Sequence, residues 1–181
     1  MNRGPDSRGV LNILLDLQRR CRLIPILGNH EEMMLESRHD RHAEERWRYQ
    51  GGMETLLSYG YPDAVGNIPE EHWEFLRSFR PFYETDRFLF THANYCWYLP
   101  MEQQSSRDLR WLSLEESSPR PHFSGKTVIL GHTPGPVRDK GFYRCLDTGC
   151  GCGGRLTAMD LDSGTLWQVT ESGETVIADP Q

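Results

Sequence analysis

An amide, an imidazole and a carboxylate arrive in succession at Asn29, His30 and Glu31, directly after the apolar run Leu23 to Leu27 and a single Gly28. Similar events recur further along. The segment "RFLFTHA" delivers His92 at the end of an apolar stretch, and "KTVILGHT" delivers Gly131, His132 and Thr133 after Thr127 to Leu130. A fourth run, "YRCLDTG", ends in Asp147. Neutral imidazole nitrogens and a carboxamide oxygen suit a borderline divalent ion such as Mn, Fe or Zn better than Ca or Mg, and no thiolate is placed with them. One histidine after a strand is usually packed or solvated, so the recurrence of the event carries the argument.

Such residues act together only if the elements that carry them end on one rim. An α/β sheet does this, because side chains converge at the carboxyl ends of its strands while helices cover its faces. The spacing predicts a helix over "DSRGVLNILLDLQRR", packed on a sheet through Val10, Ile13, Leu14 and Leu17 and capped by Asp6 or Ser7. A buried strand "RLIPILG" follows, blemished by Pro25. A second helix runs from Glu31 toward Tyr49, where Gly51 and Gly52 break it, and a third, "METLLSYG", closes at Gly60. "GYPDAVGNI" reads as loop. "PEEHWEFLRSF" reads as a helix opened by Pro69, with Trp73, Leu76 and Phe79 inward. Strands are expected in "RFLFTHANY", "KTVIL" and "YRCLD", and a hairpin turning at Asp162-Ser163-Gly164. The polar stretch 99–124 reads as a surface excursion.

The totals bound the class. A chain of 181 residues with 37% hydrophobic, 10% aromatic and 25% charged residues forms one globular domain, taken here as 1–181. Its apolar runs span no membrane and its N-terminus has no signal-peptide core, so a cytoplasmic location is expected. The formal net charge of −6 argues against a nucleic-acid partner. The arginines from Arg38 to Arg48 alternate with acidic residues, as on a solvated helix laced with ion pairs. Five cysteines without a secretory signal are expected to be reduced, and Cys145, Cys150 and Cys152 lack the two separated C-x-x-C pairs of a structural zinc site.

The motifs "RGPDSRG", "GNHE", "THA", "GHT" and "LDTGCGCGG", in this order, resemble the calcineurin-like metallophosphoesterases of the serine/threonine phosphoprotein phosphatase type and their relatives, the symmetrical diadenosine tetraphosphate hydrolases. The resemblance implies an α/β sandwich of mixed sheets flanked by helices. It implies a dinuclear centre of manganese, with Fe or Zn as alternatives, and Asn29, His92 and His132 as ligands of one ion. His30 would be the general acid and Asn2 its partner, while Arg3 would hold phosphate. A second phosphate-binding arginine is expected at Arg110, with Arg107 in reserve; surface ion pairing is an equal alternative for either. Asp147 would be a structural acceptor, and the tryptophan and paired glycines of "WRYQGG" would pack and end a helix. Hydrolysis would proceed by attack of a metal-bound hydroxide on a phosphate monoester, in a phosphorylated protein or a small phosphoester. The rival readings are dinucleoside tetraphosphate hydrolysis and a catalytically silent remnant that serves as a binding module.

The chain departs from the family pattern in two places. The D-x-H and G-D motifs that complete the second metal site are absent, so an N-terminally truncated fold is expected, lacking its first strand or strands, binding one ion weakly and hydrolysing esters poorly. On this reading Met1 stands where the pattern has a small apolar residue, and the reading frame is expected to continue upstream. Asn2 also stands where many members carry an aspartate, and an amide cannot stabilise an imidazolium as a carboxylate does.

Overall fold

The first helix, α1 (Ser7–Arg20), starts where the Asp6 side chain accepts the Gly9 backbone N–H at 2.8 Å, and it ends with Arg19 and Arg20 against its carbonyl end. The structure is a computed structural model that describes residues 2–61 and 64–178. Two units are distinguishable, one up to Arg80 and one from Pro81 onward.

In the first unit, α1 lies on α4 (Met53–Tyr59). Its buried face differs from the expected one. Leu14 packs inward as expected, beside Leu15 and the fully enclosed Leu11, whereas Val10, Ile13 and Leu17 are 44%, 62% and 36% exposed. Ser7, one turn before Leu11, sits against Thr55 of α4 and fixes this rotation. The run Leu23 to Leu27 does not form the expected strand. It makes a single bridge at Ile26 to Arg80, through Leu27 N–H to the Arg80 carbonyl at 2.7 Å and Arg80 N–H to the Pro25 carbonyl at 2.9 Å. Pro25 has no N–H with which to extend a ladder.

Helix α2 (Asn29–Ser37) begins two residues earlier than expected, and Glu31 returns a carboxylate oxygen to the Gly28 N–H at 3.2 Å. It does not reach Tyr49. A new helix, α3 (Arg41–Trp47), starts where Asp40 accepts the His42 N–H at 2.8 Å. The intervening arginines form ion pairs as expected, Arg38 with Glu70 and Arg48 with Glu44. A wide turn over Arg48–Gly52 then leads into α4, which ends at Gly60 with φ +97°. Short α5 (Ala64–Asn67) replaces part of the expected loop, of which Pro62 and Asp63 lie outside the described residues. Helix α6 (Glu70–Arg77) follows Pro69, and its Trp73 and Leu76 join Leu11, Met34, Trp47 and Leu56 in one core.

The second unit holds two sheets. β1 (Phe82–Glu84), β2 (Phe88–Thr91), β3 (Thr127–Leu130), β4 (Arg138–Asp139) and β5 (Tyr143–Cys145) form a sheet in the order β1-β2-β3-β5-β4. The inner pairs β2-β3 and β3-β5 are parallel, and the outer pairs are antiparallel. An antiparallel meander of β6 (Leu156–Met159), β7 (Leu166–Val169) and β8 (Thr175–Ala178) forms the other sheet. The expected hairpin joins β6 to β7, where the Asp160 carboxylate accepts the Asp162 N–H at 2.8 Å and Gly164 takes φ +77°. Stretch 99–124 is more than a surface excursion. It contains α7 (Ser106–Arg110) and buries Met101, Leu109 and Leu114 against Leu89, Val128 and Leu130. Among the described residues no helix is long and apolar enough to cross a membrane.

Candidate functional site

Parallel pairing of β2, β3 and β5 places their carboxyl ends on one rim of the second unit; His92 follows the first end directly, and His132 and Asp147 follow the other two after one intervening residue. The Gly131 N–H donates to the His92 carbonyl at 2.9 Å, and a Cβ at Gly131 would lie 3.7 Å from the Asp147 Cβ. His92 Nε2 and His132 Nδ1 are 3.2 Å apart. His132 Nε2 is 3.1 Å from the Trp111 carbonyl, which can only accept, so Nε2 carries the proton and Nδ1 keeps its lone pair. A backbone carbonyl behind the distal nitrogen is the outer partner that metal-ligating imidazoles use.

That separation is a test of fit for a metal. Two nitrogens bound at about 2.1 Å and subtending 90–110° lie about 3.0–3.4 Å apart, and the observed 3.2 Å falls inside that range. The histidine pair therefore fits two adjacent positions of a borderline divalent site. Among the described residues no group of three or more His, Cys, Asp or Glu side chains assembles for a metal.

Arg110 stands next to this rim because α7 is tied to both neighbours of His92. The Leu109 carbonyl accepts the Ala93 N–H at 2.8 Å and the Thr91 hydroxyl at 3.1 Å. Arg110 is 8% exposed, whereas Arg107 lies in a surface ion pair with Glu116 at 3.7 Å. Asp147 is an acceptor within the glycine-rich turn, taking the Gly149 N–H on Oδ1 at 2.9 Å. Cys145 is buried, Cys150 and Cys152 are exposed, and all five cysteines are free thiols.

In the first unit, Asn29 and His30 occupy the first turn of α2, and Asn29 is buried. Asn2 reaches His30 directly, with Nδ2 3.2 Å from His30 Nδ1. Its Oδ1 accepts the Thr55 hydroxyl at 2.7 Å, and Thr55 Oγ1 is 2.9 Å from Ser7 Oγ. Arg3 follows, its backbone N–H donating to the Gly51 carbonyl at 3.1 Å. Thr55, Ser7, Trp111 and Gly51 were not singled out from the sequence as site residues. Thr55 and Ser7 are common residue types whose role depends on contacts about fifty positions away.

Backbone conformation marks the same residues. Among the described residues the non-glycine positions with positive φ are Asn2 at +78°, Arg3 at +63° and His132 at +64°. Left-handed conformations of this kind gather at functional sites, where the surroundings over-determine them.

No family model matches the chain, and no curated protein does. A search of solved structures finds likeness to "Crystal structure of a putative diadenosine tetraphosphatase", with a TM-score of 0.61 at 18% sequence identity, covering 100% of this chain and 77% of that one. The chain thus shares its mixed α/β fold with that protein.

Proposed function

We propose that this chain is a metal-dependent phosphoric ester hydrolase and that a dinucleoside polyphosphate is its preferred substrate. The observation that carries the reading is His132. It is held in a left-handed conformation with Nε2 on the Trp111 carbonyl and Nδ1 presented 3.2 Å from His92 Nε2. The likeness to a protein named for diadenosine tetraphosphate favours the dinucleotide over a phosphoprotein.

His92, His132 and Asn29 would hold the ion, which when bound withdraws charge from phosphoryl oxygens and lowers the pKa of water. Arg3 and Arg110 bind the phosphate, since a guanidinium offers two parallel donors to its oxygens. With Asn2 Nδ2 against Nδ1, an uncharged His30 ring carries its proton on Nε2, from which it would assist a leaving oxygen by donating a hydrogen bond as negative charge develops there.

The test is turnover with manganese of diadenosine tetraphosphate, p-nitrophenyl phosphate and a phosphopeptide, for the chain and for His30→Gln and His132→Ala. Preferential cleavage of the dinucleotide, lost in both variants, is expected. Preference for the two monoesters would move the reading to the protein-phosphatase type, on which the "RGPDSRG" stretch bears. No turnover of any ester with Mn, Fe or Zn would overturn it.

A further inference from the structure

The buried hydroxyls of Ser7 and Thr55 have no part in the reading above, yet they form an unbroken chain to His30. Thr55 is fully enclosed and Ser7 is nearly so. Thr55 has one hydroxyl proton, and the 2.7 Å contact to Asn2 Oδ1, an atom that can only accept, uses it. Ser7 must then be the donor across the 2.9 Å contact to Thr55. With its Oδ1 committed to Thr55, the Asn2 carboxamide can present only its NH2 group to His30, 3.2 Å from Nδ1. An imidazole nitrogen facing a donor must carry a lone pair, so the ring proton resides on Nε2. Each link follows from the one before; α1 supplies Ser7 at one end, α2 supplies His30 at the other, and α4 supplies Thr55 between them.

We infer that Ser7 and Thr55 are positioning residues that set the tautomer of His30 by locking the orientation of the Asn2 amide. The inference assigns a proton position on its own geometry; its bearing on catalysis rests on the proposed role of His30 as donor to the leaving oxygen. It also gives Asn2 a definite function. Where a carboxylate would accept a proton from Nδ1, this amide donates to it, and the hydroxyl pair supplies the orientation that an amide, unlike a carboxylate, requires.

Long-range 15N–1H correlation spectra of histidine-labelled protein, recorded where the ring is neutral, separate the two tautomers, and His30→Gln identifies the His30 signals among those of the seven histidines. Wild type should show Nε2–H. Thr55→Val, close to isosteric, removes the donor and frees the amide to turn, so Nδ1–H should appear. Thr55→Ser should restore the wild-type pattern, and Ser7→Ala should give an intermediate one. A wild-type ring protonated on Nδ1, or a Thr55→Val spectrum with unchanged tautomer and native circular dichroism, would overturn the inference. Kinetics decide the linked question separately: kcat on diadenosine tetraphosphate should fall roughly tenfold in Thr55→Val at unchanged KM and recover in Thr55→Ser. A tautomer shift with no change in kcat would leave the relay standing and remove His30 as the donor to the leaving oxygen.

Discussion

Gly51 and Arg3 are in direct contact: the Gly51 carbonyl holds the Arg3 N–H at 3.1 Å, and a Cβ at position 51 would come 2.5 Å from the Arg3 Cγ. The absent side chain is what lets the N-terminal loop lie against the turn after α3. Gly51 also has φ +93°, a conformation that costs other residues about 1–2 kcal/mol. Gly51→Ala should therefore lower stability by about that amount and displace Arg3, raising the inhibition constant of inorganic phosphate severalfold. Thermal unfolding and phosphate inhibition of the same preparation check both effects.

The neighbouring glycine should behave differently. A Cβ at Gly52 would meet the fully buried Trp47 ring at 2.5 Å, and its three nearest atoms all belong to Trp47. Gly52→Ala should cost about 1–3 kcal/mol by overpacking, read from denaturant unfolding, and leave phosphate inhibition unchanged. Equal effects of the two substitutions on phosphate would argue against a specific link between Gly51 and Arg3.

Removal of either rim histidine should be felt first in metal binding. His92→Ala and His132→Ala are each expected to weaken manganese affinity by about tenfold to a hundredfold or more, measured as free ion by electron paramagnetic resonance. Arg107→Ala, which removes the surface pair with Glu116, should leave the titration unchanged.

The buried His72 gives a pH signature unrelated to the site. It is 2% exposed, with Tyr59 Oη 2.5 Å from Nδ1 and Asn12 Oδ1 3.0 Å from Nε2. Burial pushes its pKa below the ordinary 6.5. A depressed folded value means the unfolded chain binds the proton more readily, so this stability is present above pH 6.5 and is lost as pH falls below it. The unfolding midpoint should drop on acidification from pH 6.5, and His72→Gln should flatten that part of the profile while lowering the plateau.

The rim was legible in the sequence because a parallel strand announces itself as a short apolar run, and whatever follows "FLFT" or "TVIL" must stand at its carboxyl end. Helix α1 shows why other features were not. Its apolar residues make two overlapping stripes, Val10-Ile13-Leu17 and Leu11-Leu14-Leu15, and periodicity alone does not choose between them. The choice is made by Ser7 meeting Thr55, a polar contact between distant residues. The run through Pro25 looked like a strand by hydrophobicity, but among the described residues its ladder pairing is a single bridge to Arg80. Arg110 was preferred to Arg107 from the sequence without any view of its surroundings; the Leu109 carbonyl, bonded on both sides of His92, is the long-range contact that sets α7 beside the rim.

The left-handed backbones of Arg3 and His132 set two demands on one codon. Glycine adopts that conformation without the side-chain penalty, so for folding alone it is a better occupant of either position, apart from the contacts the side chain makes. In a saturation library scored by how much folded protein accumulates, glycine should be tolerated or enriched at positions 3 and 132. In the same library scored by ester cleavage, glycine there should be among the most depleted choices. Divergence of the two maps at these positions, against agreement at Trp47 and Leu11, would separate residues retained for chemistry from residues retained for architecture.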